Sequence, residues 1–168
     1  MEDLLPRAML LGELLKRRAE TVAVAESSAG GLVSAALLAI PGASAYFMGG
    51  AVVYTRRARS TLLAITEKEM AGLRPATEPY AMLLASSVQK RFATHWGIAE
   101  TGAAGPGGNR YGDPAGHACI AVAGPMALTR RLETGSQDRP ANMRTFAAAL
   151  LDLLIETMES GAGTAPQP

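Results

Sequence analysis

At 168 residues, the chain fits one domain with a sizeable core of its own. A formal charge of +1 gives no reason to expect nucleic acid or a membrane surface as partner. One cysteine, Cys119, excludes an internal disulfide and, by itself, a cysteine-type zinc site, so a reducing, cytoplasmic setting is the simplest reading. Hydrophobic residues make up 48% of the chain but aromatic ones only 5%, so Ala, Leu and Val must carry a core of small, closely packed side chains. No apolar run approaches the roughly 18 residues of a bilayer span, and the acidic start Met1-Glu2-Asp3 lacks a signal peptide's basic region.

In chain order, Leu4, Ala8, Leu11 and Leu15 recur at helical spacing over residues 4–19. Pro6 suits the first turn of that helix and Lys16, Arg17 and Arg18 its last. Residues 21–25 read as a short buried strand. A helix over 30–40 follows, with Ser27 or Ser28 as its cap and Pro41-Gly42 as its stop. A second strand is predicted at 50–54, a short helix at 57–63, and another short helix from the capping box Thr66-Glu67-Lys68-Glu69. Thr77 and Pro79 open a long helix over 78–95, and 97–101 is a third strand. The glycine-rich segment Gly102-Ala103-Ala104-Gly105-Pro106-Gly107-Gly108 begins a loop that continues to about Pro114. A strand pair at 116–123 and 126–133, then a helix over 141–158, complete the domain. Strands mixed with helices and a hairpin predict an α/β fold, a three-layer α/β/α sandwich with a mixed β-sheet. Residues 1–159 form the single predicted domain, and the Gly/Ala/Pro-rich 160–168 read as a flexible tail.

Two segments point to chemistry. The turn Glu26-Ser27-Ser28-Ala29-Gly30-Gly31 puts small side chains and backbone N–H groups at a helix N-terminus, a ready anion or oxyanion site. If Ser27 is a nucleophile, the N–H groups that follow it meet the oxyanion. The plainer alternative is a helix cap with glycines for tight packing, and on this feature alone the cap is favoured. The loop Thr101 to Gly108 also follows a strand, and its glycines allow close backbone approach to a ligand. It is neither a Walker A loop nor a dinucleotide fingerprint. Two such loops at strand ends suggest a shared cleft. His95 and His117 lack metal-ligand spacing, with each other or with Cys119, and neither is a strong base for a Ser-His-Asp triad. Glu26 either orients a substrate or caps the helix.

Several segments together resemble the CinA C-terminal domain family, which includes nicotinamide mononucleotide amidohydrolases. They are Ala25-Glu26-Ser27-Ser28-Ala29-Gly30-Gly31, Pro41-Gly42-Ala43-Ser44, Gly50-Ala51-Val52-Val53-Tyr54, Thr77-Glu78-Pro79, Gly102 to Gly108, Asp113-Pro114-Ala115-Gly116 and Asp138-Arg139. The resemblance implies hydrolysis of the nicotinamide carboxamide to nicotinate mononucleotide and ammonia, with no metal and no cofactor. It places the nucleophile on Ser27 and a tyrosine on Tyr54, and it sets Arg59 where the family has a lysine base. A guanidinium stays protonated at neutral pH and is a poor proton acceptor, whereas it suits a phosphate or a polarised carbonyl. The implied catalytic set is therefore Ser27, Tyr54 and Arg59. Glu26, Gly30, Gly31, Thr101, Gly102, Gly105 and Arg139 form the implied substrate-binding set. Arg144 is an alternative phosphate contact to Arg139, and both also read as a solvated helix end.

Three readings follow: an amidohydrolase acting on a small-molecule nucleotide, a relative that binds the nucleotide without turnover, and an oligomeric structural module. A homo-oligomer is expected from the small-residue helix faces, and the chain reads as the stand-alone form of the family.

Overall fold

A computed structural model describes residues 1–161 of the chain. Five strands form one sheet in the order β2-β1-β3-β4-β5. They are β1 (Val22–Glu26), β2 (Phe47–Val52), β3 (Trp96–Ala103), β4 (His117–Ala123) and β5 (Leu128–Glu133). β2, β1 and β3 run parallel, while β4 and β5 are antiparallel to their neighbours, so the sheet is mixed. β1, β3 and β4 are buried along nearly their whole length, as apolar strands covered on both faces must be.

Side-chain alternation divides the core. Val22, Val24, Ile98, Ile120 and Val122 point to the face covered by α1 (Leu5–Arg18), α2 (Leu32–Leu38) and α5 (Arg139–Gly161). Ala23, Ala25, Ala99 and Ala121 point to the other face, where α4 (Glu78–Phe92) lies with α3 (Arg56–Leu63) beside it. The alanines let α4 sit close to the sheet, and this gives the three-layer α/β/α sandwich predicted from sequence. Gly97 carries the closest approach. A Cβ there would collide with the Ala85 carbonyl oxygen and stand 2.9 Å from the Gln89 nitrogen, both of them α4 backbone that cannot swing aside. Gly97→Ala is expected to cost about 2 kcal/mol through overpacking, read as a lowered urea midpoint.

Several boundaries differ from the sequence reading. α2 starts at Leu32 rather than residue 30, because Gly30 and Gly31 take left-handed φ values of 69° and 99° and Gly31 is the N-cap. β2 runs Phe47–Val52 rather than 50–54, so Phe47, Met48 and Gly49 belong to the strand and Tyr54 falls beyond its end. α4 stops at Phe92 where Ala93 turns left-handed. Its N-cap is Thr77, whose hydroxyl donates to the Arg74 carbonyl and does not cap the helix. The Thr66–Glu69 box forms its reciprocal bonds around a run of turns and starts no helix. α5 extends through Gly161, so Ser160 and Gly161 continue the helix where a tail was expected. The remainder of that tail, 162–168, lies outside the described residues. Among the described residues no helix is long and apolar enough to cross a membrane.

Candidate functional site

The connection after β1 passes to the α2 face, and the connection after the adjacent β2 passes to the α4 face. A crevice therefore opens at the carboxyl ends of these strands, the usual ligand position in an open α/β sheet. A cavity of about 690 Å³ occupies it.

Two buried glutamates build the turn that carries Ser27. β1 and β3 pair in parallel as far as Ala25 and Ala99, so Glu26 and Glu100 follow side by side and point to the α2 face. Both are fully buried. Glu26 Oε2 accepts from the N–H groups of Gly31 and Val33, at 2.9 and 3.0 Å. Its Oε1 accepts from the Ser34 N–H and hydroxyl, at 2.9 and 2.7 Å. Glu26 thus caps α2, in place of Ser27 or Ser28.

Glu100 holds the other half of the turn. Its Oε2 accepts from the N–H groups of Ser27 and Ala29, at 3.0 and 2.8 Å, and the Ser28 hydroxyl donates to its Oε1. Burial pushes this carboxyl up to about 7 and the neighbouring Glu26 charge pushes the same way, against the lowering effect of those three hydrogen bonds. Sequence reasoning passed over Glu100. The signal was there: one acid in the middle of a strand otherwise too apolar to face water.

With Glu26 and Glu100 turned to one face, Ser27 faces the opposite one and lines the cavity. The structure brings it together there with Tyr54, Arg59, Thr101 and Gly102. Glu26, Gly30, Gly31, Gly105 and Arg139 do not line it. The Gly31 N–H is taken by Glu26 and the Gly30 N–H reaches back to the Ser27 carbonyl at 3.3 Å, so both are engaged inside the turn. Arg139, at the start of α5, donates to the Gly105 carbonyl at 2.8 Å and to the exposed Tyr54 hydroxyl at 3.4 Å. It ties the glycine-rich loop to the tyrosine. Buried Asn142 reinforces the link through the Ala104 and Ser136 carbonyls, both at 2.8 Å. Arg144, the alternative phosphate contact, is exposed on α5.

Arg59 is the unusual lining residue. α3 turns it inward until 4% of the residue is exposed. Its Nη2 meets Glu67 at 3.4 Å and its Cζ lies 6.0 Å from the Tyr80 ring centre. Its Nε is buried without a hydrogen-bond partner among the described residues. The cavity wall carries three further arginines, Arg56, Arg74 and Arg110, against the one acid Glu67. Arg74 is occupied by Asp113, at 2.5 and 3.1 Å, and this pair fixes the segment Asn109–Asp113 against the wall.

Both histidines have partners within the fold. His117 sits between Glu133, 2.6 Å from Nδ1, and the Ala76 carbonyl, 2.9 Å from Nε2. Two acceptors require both ring nitrogens to donate, as only the imidazolium does. Although burial opposes the charge, these two bonds hold the His117 pKa above its usual value. His95 Nδ1 accepts from the Thr21 N–H at 3.0 Å. Burial pushes the Cys119 thiol up to about 11, which leaves it inert at neutral pH. Among the described residues no three His, Cys, Asp or Glu side chains gather to hold a metal ion.

A family model described as the CinA C-terminal domain matches residues 6–158. A CinA-like protein of Gloeobacter violaceus is 42% identical over 144 residues, 84% of this chain and 34% of that protein. A CinA-like protein of Myxococcus xanthus is 38% identical over 161 residues, 94% of this chain and 38% of that protein. The chain spans about a third of the length of the curated relatives it matches. The crystal structure of competence/damage inducible protein CihA from Agrobacterium tumefaciens superposes with a TM-score of 0.84 at 26% identity, covering 92% of this chain and 94% of that one. A CinA superfamily protein from Klebsiella pneumoniae shares the fold at a TM-score of 0.87 and 23% identity, covering 94% and 98%. With a family model matched over residues 6–158 and relatives at 42% and 38% identity, this chain belongs to the CinA C-terminal domain family.

Proposed function

We propose that the cavity is a pyridine-nucleotide site in which Ser27 attacks the carboxamide of nicotinamide mononucleotide. One observation carries the reading: Ser27, Tyr54 and Arg59, distant in sequence, line the same cavity. Attack by the serine oxygen on the amide carbon and loss of ammonia would leave an ester on Ser27, which water cleaves to the carboxylate. Positive charge from the arginine-lined wall favours a phosphate-bearing substrate.

Arg59 supports a second reading, binding without turnover. A protonated guanidinium accepts no proton, and the Ser27 hydroxyl is hydrogen-bonded to no base among the described residues. A positioned general base contributes about 10²–10⁴-fold, a factor missing here. Ammonia release at saturating nicotinamide mononucleotide is therefore expected to be slow, to fall to the blank rate in Ser27→Ala, and to rise at least about tenfold in Arg59→Lys. Saturable nucleotide binding with no ammonia from either the native chain or Arg59→Lys would overturn the hydrolase and leave the binding protein.

A further inference from the structure

We propose that Arg59 is the oxyanion receptor of this cavity and that Glu67 is an internal placeholder which the ligand's oxyanion group displaces. The identification of the organic ligand rests on the pyridine-nucleotide reading; the receptor itself rests on the geometry of Arg59.

A guanidinium satisfies itself best along an edge, with Nε–H and a neighbouring Nη–H donating side by side to the two oxygens of a carboxylate or phosphate. Arg59 lines the cavity, and this edge of its guanidinium is incompletely used. Its Nε has no partner among the described residues although it is shut off from water. A desolvated donor without an acceptor is a costly arrangement, and it persists at binding sites because a ligand completes it. The counter-ion is equally incomplete. Glu67 touches only Nη2, at the long distance of 3.4 Å, and its side chain is 72% exposed while that of Arg59 is 5% exposed. A carboxylate so exposed lies on turns between α3 and α4 and rotates into solvent at little cost. The other charges on this wall do not substitute for it. Arg56 and Arg110 are exposed cations, and Arg74 already holds Asp113 through both terminal nitrogens. Arg59 is thus a buried cation in the cavity wall with one loose partner, whose displacement opens the guanidinium edge to a ligand.

The chemistry recognised is a carboxylate or phosphate oxyanion, either the phosphate of a nucleotide or a carboxylate on its ring. Calorimetric titration of the intact protein with inorganic phosphate, nicotinamide riboside, nicotinamide mononucleotide and nicotinate mononucleotide separates the sources. Expected is binding that Arg59→Lys weakens about tenfold, since an ammonium lacks the planar fork, and that Glu67→Gln strengthens up to about fivefold by removing the competitor. Glu67 is exposed, so its variant keeps the fold, and circular dichroism checks that Arg59→Lys does too.

A phosphate source is indicated if inorganic phosphate competes and the riboside does not bind. Tighter binding of nicotinate than of nicotinamide mononucleotide indicates the carboxylate. If phosphate binds through Arg59 while neither nucleotide does, the nucleotide reading falls and the receptor stands. Nucleotides that bind with one affinity to the native chain and both variants overturn the receptor and leave the nucleotide reading intact.

Discussion

Glu26→Gln is expected to destabilise the protein by about 4 kcal/mol, despite changing a single atom. Each Glu26 oxygen accepts from backbone N–H groups: Oε2 from Gly31 and Val33, and Oε1 from Ser34. An amide offers one oxygen and one NH₂, so whichever way it is placed its NH₂ confronts at least one backbone donor. The orphaned donors cost about 1–3 kcal/mol each when buried, and the remaining bonds lose their charge assistance. The negative charge at the first turn of α2 is also lost. Urea unfolding of the native chain and the variant at pH 7 measures the difference. A change below about 1 kcal/mol would show that this carboxylate is not the cap it is described to be. Because the Ser27 turn and α2 hang on the same side chain, the variant should also lose any ligand binding.

Glu100→Gln is expected to behave in the opposite way, and pH reveals it. Only Oε2 of Glu100 accepts from backbone N–H groups; Oε1 faces the Ser28 hydroxyl, which reverses from donor to acceptor by rotation. A glutamine oxygen can take the two N–H groups while its NH₂ donates to Ser28. The buried carboxyl has its folded value raised from 4.5 to about 7. Between those values the folded protein binds the proton that the unfolded chain has released, so stability falls as pH rises. The stabilisation is fully present below about 4.5 and is lost as pH rises through about 7, with a total of about 3 kcal/mol. Subtracting the unfolding free energy of the native chain from that of Glu100→Gln cancels the other titrating groups. The difference should increase by about 3 kcal/mol from pH 4.5 to pH 8. A flat difference would mean that Glu100 is ionised throughout and carries no such proton.

These two acids mark the limit of what local sequence conveys about the site. The glutamate of the Glu26–Gly31 turn was visible, with capping as one of its two readings. That Glu26 and neither serine caps α2 follows from the positive φ of Gly30 and Gly31, which carry the chain past the serines before α2 begins. Glu100 was not picked out, because its role depends on the β1–β3 register that sets it beside Glu26. The backbone oxyanion donors expected at Gly30 and Gly31 are engaged within the turn for the same reason. Arg139 was singled out by an Asp-Arg pair; its contacts, the Gly105 carbonyl and the Tyr54 hydroxyl, arise from packing α5 against the glycine-rich loop.

What the sequence determined by itself was the main elements and the fold class they make. Hydrophobic periodicity, proline and glycine stops and small-residue strands are local signals, strong enough to place five strands and the main helices of an α/β/α sandwich. The start of β2 was set three residues late, at Gly50, because Gly49-Gly50 carries no side-chain alternation to tie Phe47 and Met48 to the residues that follow. Only the tertiary structure decided which of the marked residues meet. It gathered Ser27, Tyr54, Arg59, Thr101 and Gly102 around one cavity and left Glu26, Gly30, Gly31, Gly105 and Arg139 to shape its surroundings. The physical reason is that strand order and crossover side are set by burying both faces of the sheet at once. That long-range condition turned Ser27 into the cavity and Glu26 away from it, although the two are adjacent in the chain.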